Sequence, residues 1–595
     1  MLHKETFRLD IAFEHVDIRR TGTIVLGDSE AALRATLELQ QNGVEDLILV
    51  TPDRSHDAYQ PADSHYWHEQ TLDDDLDTMD GDIVLALETE REAALSYLVT
   101  LGAEVSEREE GLYIERAADG KTVQELLLQK VKDSNIEIYE RYQVLRFLVA
   151  KKHINGVFLL NRDPKEGQVS YKVLLADNVV VGTGGPTSVY SNTTYMSERS
   201  ATYGLAVLAG AKVKNAAEWR FGLSVKAFPL KLTRAFMSAL PRIYSVDKDG
   251  REHDFLTTAW PLDDVCQKML LKADHWAFDV RQIESAGGAI DLLIKTEEDR
   301  GRGVFVDYRE NLSHDFSLDK LTGEISRALK AAGAMQETPV ERLRKLDESA
   351  YQACLANGID LEKEPLAVHT AAGHHIGGLT IDEWWQTSFE GLYAVGEAAA
   401  VYGADHEFGK LSAGQIGAIR AARHIAEKRN KGITKNHIDR PMRDLVREFI
   451  RYAKAAVDNK GKLADEFEDE LREKLNRFAM LIREKSALQS LNNTLRRAMS
   501  AFDTLRIRRI EDQGDLIHML NTWYAQAALV FASLDLFESE TSGGIGAVYY
   551  DGSTACLTEQ AEEMVVQEIW LADGKFESEW RELRPLPSRL SRCDS

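Results

Sequence analysis

Cysteine is scarce in this chain. There are four in 595 residues, at Cys266, Cys354, Cys556 and Cys593. None stands in a C-x-x-C pair, which excludes a cysteine-held iron–sulfur cluster or zinc site within the chain itself. Scattered thiols suit a reducing compartment, and no disulfide is expected. Long apolar runs are also missing. No stretch of about 18 apolar residues occurs, so no membrane span is expected. The opening MLHKETFRLDIAFEHVDIRR has neither an apolar signal core nor a small-residue cleavage site, and the expected location is the cytoplasm. Positive charge is in deficit. With 72 Lys and Arg against 97 Asp and Glu, the formal net charge is −25. That disfavours nucleic acid and anionic membrane surfaces as partners, although local cations can still hold an anion inside an acidic protein.

What is present is the patterning of a globular α/β chain. Apolar residues make up 44%, and the length is too great for one core, so several domains are expected. GTIVLG (22–27) reads as a strand, SEAALRATLELQQNG as a helix and DLILVT (46–51) as a second strand, a βαβ opening. EREAALSYLVTLGAEV and QELLLQKVKDSNIEIYER each read as helix then strand. VLRFLVAKKHINGVFLLN reads as two strands around an Asn-Gly turn. YKVLLADNVVVGTGG (171–185) carries a strand into a glycine pair. Residues 225–365 mix short strands with basic and aromatic residues. From Ile438 to Leu536 the pattern is long, charged and helical, and a strand and surface tail are expected beyond it.

Three glycine-bearing strand ends carry the chemistry. GLYAVGEAAA (391–400) is a buried strand stopping at Gly396-Glu397, and a helix with small residues on one face starts near Ala413. Glycine lets backbone approach closely, and free N–H groups at a helix start attract anionic oxygens, as a ribityl pyrophosphate would present them. An acid after the strand glycine can accept from ribityl hydroxyls, which singles out Glu397. The first βα turn keeps Gly27 but places Ser29 and Ala32 where a dinucleotide fingerprint has its second and third glycines. Thr183, Gly184 and Gly185 close the second strand end, and Leu411, Ser412 and Gln415 open the helix that follows Gly396-Glu397.

The ordered set VLGDSEAAL, VVVGTGG, HHIGGLTID, GLYAVGE and AGQIGAIRAA resembles the fumarate reductase and succinate dehydrogenase flavoprotein superfamily, which includes L-aspartate oxidase. EWRFGLSVKAF, HWAFDVR, GRGVFVDYREN, DEWWQT and WRELRPLP point to a less characterised branch of it. The resemblance spans nearly the whole chain. It implies an α/β fold: a Rossmann-like FAD-binding domain in two parts (1–220 and 366–432), an inserted α+β cap domain (221–365), a C-terminal helical domain (433–540) and a tail (541–595). It also implies FAD in extended form. The attachment is expected to be non-covalent, because SHYWHEQ around His65 has no Gly-Gly after it.

The departures bear on the substrate. Other members carry His-Gly-x-Asn-Arg after the Gly-Glu, gripping a dicarboxylate, where this chain has Tyr402-Gly403-Ala404-Asp405-His406. Succinate and fumarate are therefore not the expected substrates. A small organic substrate, anionic if the basic stretch Arg220, Lys226, Arg234, Arg242 serves it, is expected to exchange hydride with the flavin at an activated C=C bond. His374, three residues before Gly377-Gly378, corresponds to a substrate-facing histidine of the resembled family, and His406 lies where that family holds substrate. Arg281, two residues after Asp279, either clamps an anion or forms a structural ion pair. Adjacent His374 and His375 lack a third ligand, so no metal is expected. Trp384 and Trp385 either shield the cofactor or fill core. An iron–sulfur or ferredoxin-type electron partner and a homo-oligomer both fit this reading. The alternative is a catalytically diverged flavoprotein with an electron-transfer or scaffold role in a redox complex.

Overall fold

The strand Glu14–Leu26 is the axis of the molecule. Its Ile24, Val25 and Leu26 are buried, as expected of a strand covered on both faces by helices. A computed structural model describes the chain except residues 1–5, 12–13, 53–63, 68–78, 109–110, 163–169, 196–200, 233, 284, 286, 314–315, 319–320, 322, 402–409, 430–439, 540–544, 553–554, 557–564 and 588–595. Glu137–Tyr139, Leu47–Val50, Glu14–Leu26, Ser170–Val181 and Leu392–Ala394 lie side by side and parallel. Their register is level: Tyr139 faces Val50, Val50 faces Leu26, Leu26 faces Val181 and Val181 faces Ala394. All five strands therefore leave the sheet along one rim.

His153–Asn161 and Tyr142–Ala150 extend this sheet antiparallel. Here the sequence expectation fails in detail. The hairpin turns at Lys151-Lys152, both with positive φ (52° and 61°), and Asn155-Gly156 lies inside the second strand. Gly156 is needed for another reason. A Cβ there would stand 1.9 Å from the carbonyl oxygen of Leu174 on the next strand, so only glycine permits that approach.

A second, antiparallel sheet orders Trp219–Val225, Leu366–His375, Gly303–Asn311, Pro241–Val246 and Glu252–His253. Helices Leu262–Asp274, Gly288–Asp299 and Pro339–Leu346 pack on it around a separate apolar core that includes Leu223, Val265, Ile290, Tyr308 and Leu343. Residues 220 and 366, where the sequence divides cofactor region from cap, fall within paired strands of this sheet. The HWAFDVR segment supplies its wedge. The Trp276 ring lies against Gly222 and Gly373, where a Cβ would come within 2.6 and 2.0 Å of ring carbons. Its Nε1 donates to the Leu223 carbonyl at 2.8 Å.

Helices Arg440–Asp458, Ala464–Phe478, Lys485–Ser500 and Gln513–Leu536 share one apolar core with the parallel sheet. Gln513–Leu536 is buried along most of its length and grips the loop after Gly185. Thr522 Oγ1 meets Ser188 Oγ at 2.7 Å, and Gln526 donates to the Val189 carbonyl at 3.0 Å. No helix among the described residues is long and apolar enough to cross a membrane. The C-terminal region differs from the single strand and surface tail that the sequence suggests. Val565–Ala572 and Lys575–Glu582 form a hairpin, and the first of these joins Val213–Lys214 and Gly378–Leu379 in one sheet.

That hairpin is tied down by buried charge. Asp80, 1% exposed, accepts from Lys214 at 3.1 Å, from Arg581 at 2.8 Å and from the Arg584 backbone N–H at 2.9 Å. Burial alone would raise its carboxyl, but Lys214, Arg581 and Arg584 together hold it well below the usual carboxylate value. A carboxyl depressed in this way adds stability that is fully present above pH of about 4 and is lost as pH falls below it. Asp80→Asn strands Lys214 and should cost about 3–5 kcal/mol at neutral pH. Thermal melts of both proteins should give the same gap at pH 7 and pH 5, closing below pH 4. A gap that stays constant into acid would show that the carboxylate charge is not what holds the hairpin.

Candidate functional site

At the rim of the parallel sheet the three glycine-bearing ends meet one another. Gly27 has φ +104°, and a Cβ on it would lie 2.5 Å from the Gly182 carbonyl oxygen. Ser29 caps the helix Glu30–Gln41 by accepting from the Ala32 N–H at 3.2 Å, and its hydroxyl donates to the Gly182 carbonyl at 2.7 Å. Ala32 in turn faces Gly182, where a Cβ would sit 2.6 Å from its own. Ser29 and Ala32 in place of glycines thus lock the first two motifs together. Thr183 Oγ1 meets Thr202 Oγ1 at 2.8 Å, Gly184 takes φ +82°, and a Cβ on Gly185 would lie 3.2 Å from the Glu397 carbonyl oxygen. Gly396 takes φ +63°, with Ala31 Cβ 3.0 Å from where its own would be. The helix Lys410–Arg429 starts over this junction. Leu411, Ser412 and Gln415 are buried there, and Gln415 Nε2 donates to the Glu30 carbonyl at 3.2 Å.

The junction fits FAD. Two helix N-termini converge on the carboxyl ends of level parallel strands, the place where this class of sheet receives a pyrophosphate. The chain's own backbone, more than open space, takes up the room that the missing glycine Cβ atoms leave. Trp385 is fully buried with its ring against Gly417, and Trp384 stacks on His424 with ring centroids 5.2 Å apart. The pair packs against the helix Lys410–Arg429.

Glu397 links this junction to the cap sheet. Its carboxylate pairs with the Lys410 ammonium and stands 3.5 Å from the Tyr195 hydroxyl and 3.7 Å from His374 Nδ1. The Tyr195 hydroxyl is 3.3 Å from His374 Nδ1 and 3.5 Å from Lys410 Nζ, and it accepts from the His375 N–H at 3.4 Å. Tyr195 and Lys410 belong to no motif, and the sequence does not single them out. Burial, followed by Lys410, Lys231, His375 and Arg220, holds His374 well below the usual histidine value, so its ring is neutral near pH 7. Burial and the neighbouring Glu397 raise Tyr195, with Lys410 opposing them. His375 packs on Trp219 with centroids 4.7 Å apart, and burial pushes it down to about 3.

Arg220 faces His374 across the paired strands. Its guanidinium is 3.9 Å from Asp279. Lys231 lies 4.0 Å over the Trp276 ring. Arg281 forks onto Asp279, with Nη2 donating at 2.6 Å and Nε at 3.1 Å, so the ion pair exists. It forms on a short 3-10 turn, Val280–Gln282, and not on a strand. Asp279 and Arg220 thereby connect Arg281 to His374. Elsewhere in the basic stretch, Arg242 is engaged on the surface by Asp254, Glu252 and Glu310. Tyr402 and His406 lie outside the described residues.

Comparison with known proteins agrees with this geometry. Residues 23–408 match the FAD binding domain family. A component of the CoM/CoB fumarate reductase of Methanothermobacter marburgensis is 27% identical over 239 residues, 39% of this chain and 41% of that protein's length. L-aspartate oxidase of Clostridium perfringens is 25% identical over 411 residues, 66% of this chain and 80% of its own. The quinol fumarate reductase of E. coli shares the fold with TM-score 0.69 over 96% of this chain and 98% of that one, at 17% identity. The chain belongs to the FAD binding domain family of flavin-dependent oxidoreductases, on the fumarate reductase and L-aspartate oxidase side of it.

Proposed function

We propose that the protein transfers hydride between FAD and a carbon of a small organic substrate, at an activated C=C bond, with His374 donating or removing the accompanying proton. Bound FAD would supply the two-electron chemistry. Glu397, the two helix starts and the glycine junction would hold it. The observation that carries this reading is the position of His374. It is a buried, neutral imidazole beside the Glu397 of the cofactor junction and on a cap strand lined by Arg220. A neutral imidazole can orient a carbonyl or give up its N–H proton to a developing carbanion. Arg220, Lys231 and Lys410 around it favour an anionic substrate. Arg281, paired with Asp279, would set the position of Arg220 through that shared carboxylate.

The cofactor assignment has a direct test. Gly396→Val places a branched side chain at φ +63° against Ala31, a conformation that such a residue rarely adopts. The purified variant should keep its far-ultraviolet circular dichroism and lose bound flavin. Full flavin occupancy would show that Gly396 is not part of the cradle.

Fumarate should be turned over poorly. Two carboxylates need two well-placed cationic clamps, of which bidentate arginine is the usual choice, and Tyr402 and His406 stand where the resembled family has its own. Viologen-linked reduction of fumarate should stay far below the order of 10 per second common among enzymes. A normal rate would overturn this view of the site.

His374→Ala and Arg281→Ala should both retain FAD. With an accepted substrate, stopped-flow reoxidation of the reduced flavin should slow by about 100-fold or more in His374→Ala. Arg281→Ala should lose less, because Arg220 remains on Asp279. An unchanged rate in His374→Ala would remove that histidine from the mechanism.

A further inference from the structure

We propose that Lys410 and Tyr195 form a proton relay that feeds His374 from solvent, an inference that rests on His374 being the proton donor of the reaction proposed above. The difficulty that the relay resolves is chemical. A neutral imidazole that gives away its Nε2 proton would become an anion, which a buried site disfavours strongly. It can serve as an acid only if Nδ1 gains a proton at the same time. Two groups face Nδ1, the Tyr195 hydroxyl at 3.3 Å and Glu397 Oε1 at 3.7 Å, and of the two the hydroxyl is the nearer and carries a proton to give. The group behind that hydroxyl is the Lys410 ammonium, at 3.5 Å. The three side chains run from surface to interior. That of Lys410 is 36% exposed and that of His374 is 4% exposed.

The hydrogen bonds at the phenol are ordered for this direction. Its oxygen receives the Lys410 ammonium and the His375 backbone N–H, which leaves its own proton to be donated. Among the described residues two acceptors are within reach, His374 Nδ1 and Glu397 Oε1, and the Glu397 oxygen is already engaged by Lys410. Among the described residues, the charged and titratable groups around His374 include Lys410, Lys231, His375, Arg220, Glu397 and Tyr195. The cations among them oppose an imidazolium, so a route that never charges the ring is favoured.

The step balances as protons alone. The Nε2–H bond of His374 breaks and a C–H bond forms at the substrate carbon, using the electron pair that hydride addition leaves there. The Tyr195 O–H bond breaks and an Nδ1–H bond forms. An N–H bond of Lys410 breaks and the phenol O–H is remade. Water then returns a proton to Lys410. After product leaves, Nε2 takes a proton from water in the same event in which Nδ1 gives its proton to the Tyr195 oxygen, the phenol proton passes to Lys410 and Lys410 releases one to water, which restores the first tautomer without charging the ring. Lys410 and Tyr195 act through His374 and do not touch the substrate.

Two measurements on the full-length, FAD-loaded protein test this. The first needs no substrate. Nitrogen-15 histidine spectra, with the His374 signals assigned by their loss in His374→Ala, should show His374 as the Nε2–H tautomer with Nδ1 an acceptor. Tyr195→Phe should shift the Nδ1 signal while flavin content and melting temperature hold. An Nδ1–H tautomer, or a spectrum that Tyr195→Phe does not move, would overturn the relay. The second uses dithionite-reduced protein mixed with crotonate, acrylate or cinnamate. Tyr195→Phe should slow flavin reoxidation by about 100-fold. Lys410→Arg should slow it comparably, because arginine keeps the charge beside Glu397 but does not release a proton. The rate should fall at alkaline pH in the wild type and lose that limb in Lys410→Arg. Wild-type rates in either variant would overturn the relay. A wild-type protein inert to all three acids would count against the C=C reading, and the tautomer spectra would still decide the relay.

Discussion

Close approach of glycine backbone to its neighbours at the rim of the parallel sheet is the constraint on which the rest of the molecule depends. Gly27 against Gly182, Gly182 against Ala32, Gly185 against Glu397 and Gly396 against Ala31 are all approaches that a Cβ would crowd or block. They bring together segments that are far apart in sequence, and they set where Glu397 and the start of the helix Lys410–Arg429 stand. Ser29 adds a polar stitch, because its hydroxyl caps one helix and holds the carbonyl of the next strand end in the same rotamer. A glycine at that position would open more room beneath a pyrophosphate and would lose the stitch. The chain has taken rigidity of the cradle over clearance.

The helical region supports the same junction from the other side. Helix Gln513–Leu536 buries Gln513, His518, Asn521, Thr522, Gln526 and Ser533. Polar groups at such depth are costly unless paired, and several are paired with the segment that follows the second glycine motif. Asn521 accepts from the Leu205 N–H at 3.1 Å, and its carbonyl oxygen would lie 1.8 Å from a Cβ on Gly204. Arg483, 1% exposed, donates to the carbonyls of Ala479, Met480 and Ala217 and to Tyr549.

Much of this is legible in the sequence, and what is not has a common cause. Strand runs such as VVV before Gly182, and the small-residue helix after Gly396, announce themselves by composition and spacing, which are local. The sequence misplaces the hairpin turn because Asn-Gly is the usual local signal, whereas Gly156 answers to a neighbouring strand, out of reach of any local pattern. Tyr195 and Lys410 escape notice for the same reason. Neither sits in a motif, and their importance comes from meeting His374 and Glu397 in space. His374 lies 179 residues beyond Tyr195 along the chain. The Asp279–Arg281 pair can be anticipated, but its link to His374 through Arg220 requires the antiparallel pairing of Trp219–Val225 with Leu366–His375.

The electrostatics of the site run against those of the whole chain, and the two are reconciled by distance. A net charge of −25 acts through solvent and is screened within about 10 Å at ordinary ionic strength. Inside the junction between cofactor region and cap, Arg220, Lys231 and Lys410 act at short range on a buried imidazole, where screening is weak. The same three cations would attract an anion and forbid a positive charge on the His374 ring. An acid in such a place has to work without ever being protonated twice. That requirement makes a phenol at Nδ1 more useful than another carboxylate, since Glu397 can accept a proton but its ionised form has none to give.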